Sequence, residues 1–338
     1  QSVTSNEANT CLSLIQDLWS LVGVLNVSNN NEEVEEKVSY LKHCINALSD
    51  REQEYLTKEL TGSDLLLKLL TPFTNNCFEY RWLLRDTLNI YLLIFNGSIE
   101  HIEQIASSDL LKCLLGFLEI DDYGVKDSVI LCLGLLVEGS TTVRGRMKER
   151  FVLETVHVSF QKIQNSNARK FDKGSLLEAM ACFVNNYFSM QPFEPPSSME
   201  RFLPVIIDVL ESKAKECCLS FIKSFNYLNI YTMICSDSKL EDLFDSHREL
   251  FRKMFKWMMS VSQVFDYSLS ILTNMTSVSN SRVVVELQQM GLVSVINYIL
   301  MTAKTCLTKV NFINLIKNVL DVSPDIDRQI LDSENFWT

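Results

Sequence analysis

Asparagine recurs at nearly constant intervals along this chain, each time within an apolar stretch that has the character of a helix. The intervals are 43, 96, 44, 45 and 44 residues, and Gly134 takes the place of a further copy inside the long interval. Asparagine is unfavourable in a helix interior, because its amide competes with the backbone for hydrogen bonds. A period of this length predicts a solenoid of stacked helical units, with the amides on a shared surface. The recurring residues are Asn46, Asn89, Asn185, Asn229, Asn274 and Asn318.

The composition agrees with an all-α fold. The 338 residues include ten glycines and six prolines, which is too few turn residues for an all-β protein. The longest apolar runs, such as 65–70, are too short to cross a bilayer, so we expect no membrane insertion. The net charge of −11 argues against nucleic acid and anionic membranes as partners. Because the chain begins at Gln1, we interpret it as part of a larger protein.

The cysteines and histidines give no indication of metal binding or catalysis. The ten cysteines are scattered, without a CxxC pair or a histidine at zinc-ligand spacing. We interpret them as small buried side chains of a reducing compartment, which predicts an intracellular protein of the cytoplasm or nucleus. The four histidines lie in different copies of the repeat, and no nucleophile motif or glycine-rich phosphate loop is present. We therefore expect no metal, no cofactor and no enzymatic activity.

Each copy of the repeat contains a long amphipathic helix, a polar turn, a short helix and a brief apolar helix. In the second copy these are predicted at 79–95, 96–98, 99–107 and 109–118. The turn contains a glycine, which is a natural helix terminator. The same order in the later copies indicates one kind of unit repeated along the chain.

The ends of the repeat array and one interruption can also be located. We expect a single domain over 1–338, with a capping helix at 8–26 and repeats over about 31–325. Residues 190–199 contain three prolines, which lack the backbone donor that a helix needs, and predict a loop. The C-terminal DSENFWT is expected to fray or to form a final cap.

The unit resembles the armadillo repeat, whose consensus is a long helix ending in ALxNLA, a helix reading NxxxxxxxxG, and a helix reading xLVxLL. The sixth copy shows the same order as FDYSLSILTNMTSVS, SRVVVELQQMG and LVSVINYIL. HEAT repeats are the closest alternative, but the periodic asparagine and Gly291 before the third helix favour armadillo. The resemblance implies a right-handed α-solenoid of about six to seven repeats that acts as a protein-binding scaffold.

The face of each asparagine-bearing helix supplies a predicted peptide-binding groove. Residues four and seven positions before each asparagine lie on the same helix stripe. The resemblance implies that this stripe is concave and that the amides pair with the main chain of an extended peptide. Alternatively, the asparagines cross-link neighbouring helices and the aromatic residues belong to the core. The predicted groove residues are Asn89, Asn185, Asn229, Asn274, Asn318, Arg85, Trp82, Phe225 and Tyr267.

Importin-alpha-type armadillo proteins carry a tryptophan four residues before the asparagine, and this chain does not. The corresponding positions are Lys42, Arg85, Ile130, Ala181, Phe225, Ser270 and Asn314. The asparagine ladder is therefore present without the tryptophan ladder. This departure argues against basic nuclear-localisation peptides as the partner.

Residues 144–173 form a basic region, with eight basic and three acidic side chains. Arg144, Arg146, Lys148 and Arg150 are its candidate anion-binding residues. Nucleic acid is disfavoured, because no aromatic platform is interleaved. The alternative interpretation is a solvated outer helix followed by a polar insertion.

The sequence predicts a non-catalytic adaptor that holds an extended partner segment in its concave groove. A first alternative is a structural arm that forms a homodimer through an exposed end repeat. A second alternative is anion or nucleic-acid binding through the basic region.

Overall fold

The structure is a computed structural model, and every described element in it is helical. No strand occurs among the residues that it describes. The described residues are 6–22, 31–61, 64–76, 81–96, 102–106, 108–138, 140–164, 170–189, 195–213, 218–277 and 281–323. The predicted C-terminal cap and residues 23–26 of the predicted capping helix lie outside these ranges.

The chain divides into two compact units, Gln1–Phe193 and Glu194–Thr338. The expectation of one domain over 1–338 therefore stays a prediction. The helices of the first unit are α1 (Asn6–Val22), α2 (Asn31–Ala47), α3 (Asp50–Thr61), α4 (Leu65–Leu70), α5 (Phe73–Asn76), α6 (Arg81–Asn96), α7 (Ile102–Ile105), α8 (Ser108–Phe117), α9 (Tyr123–Glu138), α10 (Thr141–Glu149), α11 (Val152–Gln164) and α12 (Lys170–Ser189). Those of the second are α13 (Pro196–Glu200), α14 (Leu203–Lys213), α15 (Leu219–Ile234), α16 (Asp237–Ser246), α17 (Arg248–Ser260), α18 (Phe265–Ser277), α19 (Ser281–Gln289), α20 (Leu292–Thr302) and α21 (Cys306–Val322), with a 3₁₀ turn at Ser262–Val264.

The asparagine-bearing helices form an inner layer in each unit. In the first unit, α2, α6, α9 and α12 pack side by side in that order. In the second unit, α18 packs between α15 and α21. The shorter helices of each copy lie between successive members of this layer in the chain. The period in the sequence therefore marks helices that are neighbours in space.

Local side-chain chemistry explains several helix boundaries. The Ser140 hydroxyl accepts a hydrogen bond from the Val143 amide at 3.3 Å and begins α10. Asp122 Oδ1 accepts from the Val125 amide at 2.9 Å and begins α9 in the same way. Gly291 lies between α19 and α20, as the sequence indicates. Its φ of 86° is in the left-handed region, which glycine adopts readily.

Part of the proline-rich stretch is helical. Residues 190–194 lie outside the described ranges, but Pro196–Glu200 forms the short helix α13. Pro196 stands at the first helical position, where a missing backbone donor costs nothing. The predicted loop at 190–199 is therefore wrong for residues 196–199.

Gly134 allows two inner-layer helices to approach closely. A Cβ atom at this position would lie 3.3 Å from Phe183 Cα, which is a backbone atom of α12. An asparagine side chain would not fit in that space without separating α9 from α12. This contact explains why the recurring asparagine is replaced by glycine in the third copy.

Candidate functional site

The asparagines of the second unit cross-link adjacent inner-layer helices. Asn274 Nδ2 donates a hydrogen bond to Thr232 Oγ1 at 3.1 Å, joining α18 to α15. Asn318 Nδ2 donates to Thr276 Oγ1 at 3.2 Å and to the Thr273 carbonyl at 3.3 Å, joining α21 to α18. These amides therefore bind the scaffold through their nitrogen atoms, as the cross-linking alternative expects.

The same two amides each keep an acceptor for another molecule. Asn274 and Asn318 are half-buried, and their Oδ1 atoms accept no hydrogen bond from the described residues. Asn229 Oδ1 is buried and has no hydrogen-bond partner, which is not the case for Oδ1 of Asn274 or Asn318. The Nδ2 hydrogen bond fixes the orientation of each amide and thereby of the remaining carbonyl oxygen. One unit thus presents two oriented acceptors on neighbouring helices.

The first unit departs from the predicted ladder. Asn46 is exposed, and Asn89 Oδ1 accepts from Ser128 Oγ at 3.3 Å across the α6–α9 contact. Asn185 is only 1% exposed, so its predicted contact with a groove ligand is wrong. Its neighbour Asn186 makes the cross-link instead, donating from Nδ2 to the Gly134 carbonyl at 3.1 Å. The adjacent pair of asparagines is the only sequence signal that could have indicated Asn186.

The predicted flanking residues divide between core and surface. Phe225 is 0% exposed, and its ring packs edge-on against Trp257 with centroids 5.9 Å apart. Its predicted contact with a ligand is therefore wrong, because it belongs to the aromatic core. Trp82 and Tyr267 are half-buried, and Arg85 is exposed. These three side chains keep surface that a ligand can reach.

A polar cavity of about 360 Å³ lies where α6, α9 and α12 of the first unit meet. Ser175 Oγ donates to Asp127 Oδ2 at 3.0 Å in this cavity. The pKa of Asp127 is raised above its ordinary value, chiefly because the carboxyl is buried. The hydrogen bond from Ser175 opposes this shift, and the negative charge of Glu178 adds to it. The main lining residues are Arg85, Asn89, Tyr123, Asp127, Ser128 and Ser175. Arg85 and Asn89 were predicted groove residues, whereas the sequence pattern did not indicate Tyr123, Ser128 or Ser175.

The four candidate anion-binding residues do not form one surface. Arg144 is 5% exposed, and its guanidinium lies 5.1 Å from the centre of the Tyr187 ring. Arg146 Nη1 donates to the carbonyls of Glu103 and Ala106 at 3.0 and 2.9 Å. The prediction of anion binding is therefore wrong for Arg144, which has almost no accessible surface, and Arg146 is held by backbone oxygens.

The other two basic residues keep more surface. Lys148 is exposed, and Arg150 is half-buried at the C-terminus of α10. With Arg144 and Arg146 occupied elsewhere, they do not form the four-residue cluster that the sequence suggested. Anion binding at these two positions stays a prediction.

Metal, redox and membrane features add little to the site. Within the described ranges, no group of three or more His, Cys, Asp or Glu side chains could hold a metal ion. Cys11 and Cys132 are buried, and burial raises the pKa of the Cys11 thiol to about 11. None of the described helices combines the length and the apolar character that crossing a membrane requires.

Comparison with solved structures supports the repeat architecture. A designed armadillo repeat protein matches with a TM-score of 0.51 at 10% identity, over 71% of this chain and 94% of that one. An engineered protein from the Northeast Structural Genomics Consortium matches with a TM-score of 0.50 at 14% identity, over 76% and 98%. The chain has an armadillo-like helical-repeat fold. The predicted all-α solenoid class is thereby confirmed. No protein-family model and no curated protein sequence matches the chain.

Proposed function

We propose that this protein is a non-catalytic adaptor that binds an extended partner segment along its inner-layer amides. The observation that supports this most directly is the pair of oriented carbonyl oxygens on Asn274 and Asn318. Each amide is fixed to the neighbouring helix through Nδ2 and leaves Oδ1 unused by the described residues. Such oxygens can accept hydrogen bonds from the backbone N–H groups of a peptide without selecting its side chains.

The geometry of an extended peptide suits acceptors on adjacent helices. Packed helices lie about 8–10 Å apart. In an extended chain, alternate N–H groups point to the same side, about 7 Å apart. The two spacings are of the same order, so one peptide can reach Asn274 on α18 and Asn318 on α21. Trp82 and Tyr267 are further proposed contacts within their own units, as are Asn89 and Asn229 through their amide nitrogens.

The absence of enzymatic activity and an intracellular location belong to the same proposal. An armadillo-like scaffold typically binds proteins, and the described residues provide no metal cluster. Buried thiols such as Cys132 suit a reducing cytoplasm or nucleus, where they stay unoxidised.

Loss of binding on removing the two amides tests this function. A peptide ligand is first selected from a displayed library of random segments on the immobilised protein. Replacing Asn274 and Asn318 with Ala removes both oxygens and should weaken that peptide about tenfold, since each net hydrogen bond contributes about 0.5–1.5 kcal/mol. The matched control is Thr232→Val with Thr276→Val, which removes both threonine acceptors, leaves the hydrogen bond from Asn318 to the Thr273 carbonyl, and keeps both carbonyl oxygens of the asparagines.

Self-association is a second candidate, because α21 exposes an apolar stripe. Leu307, Val310 and Ile313 are 70%, 51% and 63% exposed. An antiparallel pair of α21 helices from two copies, centred near Val310, would pack the two stripes against each other. Light scattering across concentration tests this candidate. The average molecular mass of a dimer should fall on dilution, and the Ile313→Glu variant should have the mass of a monomer at every concentration.

A further inference from the structure

The polar cavity of the first unit presents opposite charges that are not paired with each other. Arg85 on α6 and Asp127 on α9 both line its 360 Å³. No ion pair joins them, although several other opposite charges on the described surface are paired, such as Lys42 with Asp86 at 2.5 Å. Two unpaired opposite charges in one cavity are an arrangement that a ligand with both charges would satisfy.

The cationic wall is held in place by close packing. Arg85 makes no hydrogen bond or ion pair with the described residues and is exposed at the rim. Its side chain lies across Gly124, where an added Cβ atom would come within 3.0 Å of Arg85 Cδ. Asn89, one turn along α6, uses Oδ1 to accept from Ser128, and its two N–H donors have no acceptor among the described residues. This wall therefore offers donors and a positive charge.

The anionic wall comes from α9 and α12. Asp127 accepts one hydrogen bond at Oδ2, from Ser175, and its Oδ1 has no partner among the described residues. Glu178, one turn from Ser175 on α12, adds negative charge on this side. Tyr123 is the remaining titratable group that lines the cavity. This wall therefore offers an acceptor and a negative charge that is partly removed from water.

We propose that this cavity recognises a partner segment in which an acidic and a basic side chain stand two positions apart. The inference rests on the proposed function, since it assumes an extended segment along the inner layer, and it adds the identity of two side chains. In an extended chain, residues two apart point to the same side and lie about 7 Å from each other. The acidic side chain binds Arg85 and Asn89 on α6, and the basic side chain binds Asp127 on α9.

A neutral apolar ligand fits the cavity less well. Such a ligand would offer no partner to the Arg85 guanidinium or to Asp127 Oδ1, and covering the partly buried carboxylate without a new partner costs free energy. A segment with one type of charge would satisfy one wall and be repelled by the other. The mixed pair is the side-chain chemistry that satisfies both walls.

The test uses short peptides with blocked ends titrated into the full chain and followed by NMR. The probes carry Glu-Ala-Lys or Lys-Ala-Glu at the centre of an alanine heptapeptide, because either chain direction is to be sampled, and Gln-Ala-Gln is the neutral reference. At low salt, one charged order should bind at least about threefold more tightly than the neutral peptide, and added salt should remove the difference.

Single substitutions assign each charge to its wall. With peptides of the preferred order that carry only one of the two charges, Arg85→Gln should abolish the preference for Glu over Gln and keep that for Lys over Gln. Asp127→Asn should do the reverse. Gly124→Ala keeps every charge and displaces Arg85, so it should weaken the preference for Glu only. Circular dichroism of each variant verifies the fold.

The results distinguish this inference from the broader function. Equal binding of charged and neutral peptides would overturn the inference and leave peptide binding intact. Binding of free lysine together with free glutamate, without any gain from the peptide, would overturn it in favour of a small-molecule site. A preference for the charged peptides that persists in both Arg85→Gln and Asp127→Asn would also overturn it, because residues outside this cavity would then bind the charged side chains. The effect of Asn274 and Asn318 in the second unit is measured independently of all three.

Discussion

Asn274 Nδ2 donates a hydrogen bond to Thr232 Oγ1 across 3.1 Å, so two side chains 42 residues apart tie α18 to α15. Asn318 and Thr276 repeat this relationship at the same separation between α21 and α18. A residue that is unfavourable within its own helix is thus accommodated by a bond to the next helix. At these two positions the asparagine is first a structural cross-link, and the Oδ1 atom that no described residue uses makes it a candidate binding residue.

The threonine partners should contribute measurably to stability. Thr232→Val and Thr276→Val each remove one cross-linking hydrogen bond and should each lower the free energy of unfolding by about 0.5–1.5 kcal/mol. Thr10→Val is the control, since the bond that this exposed hydroxyl makes among the described residues stays within its own helix, to the Asn6 carbonyl. Urea denaturation measures all three, and an equal loss in the control would contradict the cross-link account.

Two glycine-to-alanine substitutions should have opposite effects. Gly134→Ala places a Cβ 3.3 Å from the Phe183 backbone and should destabilise the protein by about 1–3 kcal/mol through overpacking. Gly116→Ala, within α8, meets nothing within 4 Å and should stabilise by about 0.5–1 kcal/mol, because alanine is the better helix former. Thermal unfolding measures whether each variant is less or more stable than the native chain. A stable Gly134→Ala variant would show that α9 and α12 are not closely packed.

Phe225 should behave as a core residue rather than a binding residue. Phe225→Ala leaves a cavity beside Trp257 and should cost about 3–5 kcal/mol. The milder Phe225→Leu keeps most of the apolar volume and should leave the affinity for a selected peptide unchanged. Loss of peptide affinity in a fully folded Phe225→Leu variant would indicate that Phe225 contacts the peptide after all.

Arg146 should contribute to stability, in contrast to a solvated outer helix. Arg146→Gln removes the guanidinium that binds the Glu103 and Ala106 carbonyls and should cost about 1–2 kcal/mol. Arg150→Gln, four residues along, has no such partner in the described structure and should change stability by less than about 0.5 kcal/mol. Chemical denaturation compares the two. Equal effects would support the solvated-helix interpretation of the basic region.

Periodicity predicts the fold well because it reports which helices share a layer. The asparagine spacing located every inner-layer helix from α2 to α21, and Gly291 marked the boundary before α20. It could not tell Asn185 from Asn186, since adjacent residues differ by about 100° around a helix and only the position of α9 decides between them. Phe225 was misassigned because α15 buries residues on nearly all sides.

The candidate site depended on information that no local pattern contains. Arg146 is occupied by carbonyls at the end of α7, some forty residues earlier, which a count of charges cannot reveal. The cavity at Arg85 joins residues of α6, α9 and α12 that are distant in the chain. Such groupings follow from tertiary packing.

The affinity of a library-selected peptide for two double variants tests the account most directly. Calorimetry would compare the native chain with Asn274→Ala/Asn318→Ala and with Thr232→Val/Thr276→Val. Both lose the hydrogen bonds to Thr232 and Thr276, but only the first loses the carbonyl oxygens of the asparagines. We expect Kd to rise about tenfold or more in the asparagine variant and by less than about threefold in the threonine variant. Equal Kd values for the native chain and the folded asparagine variant would contradict peptide binding by the amide row.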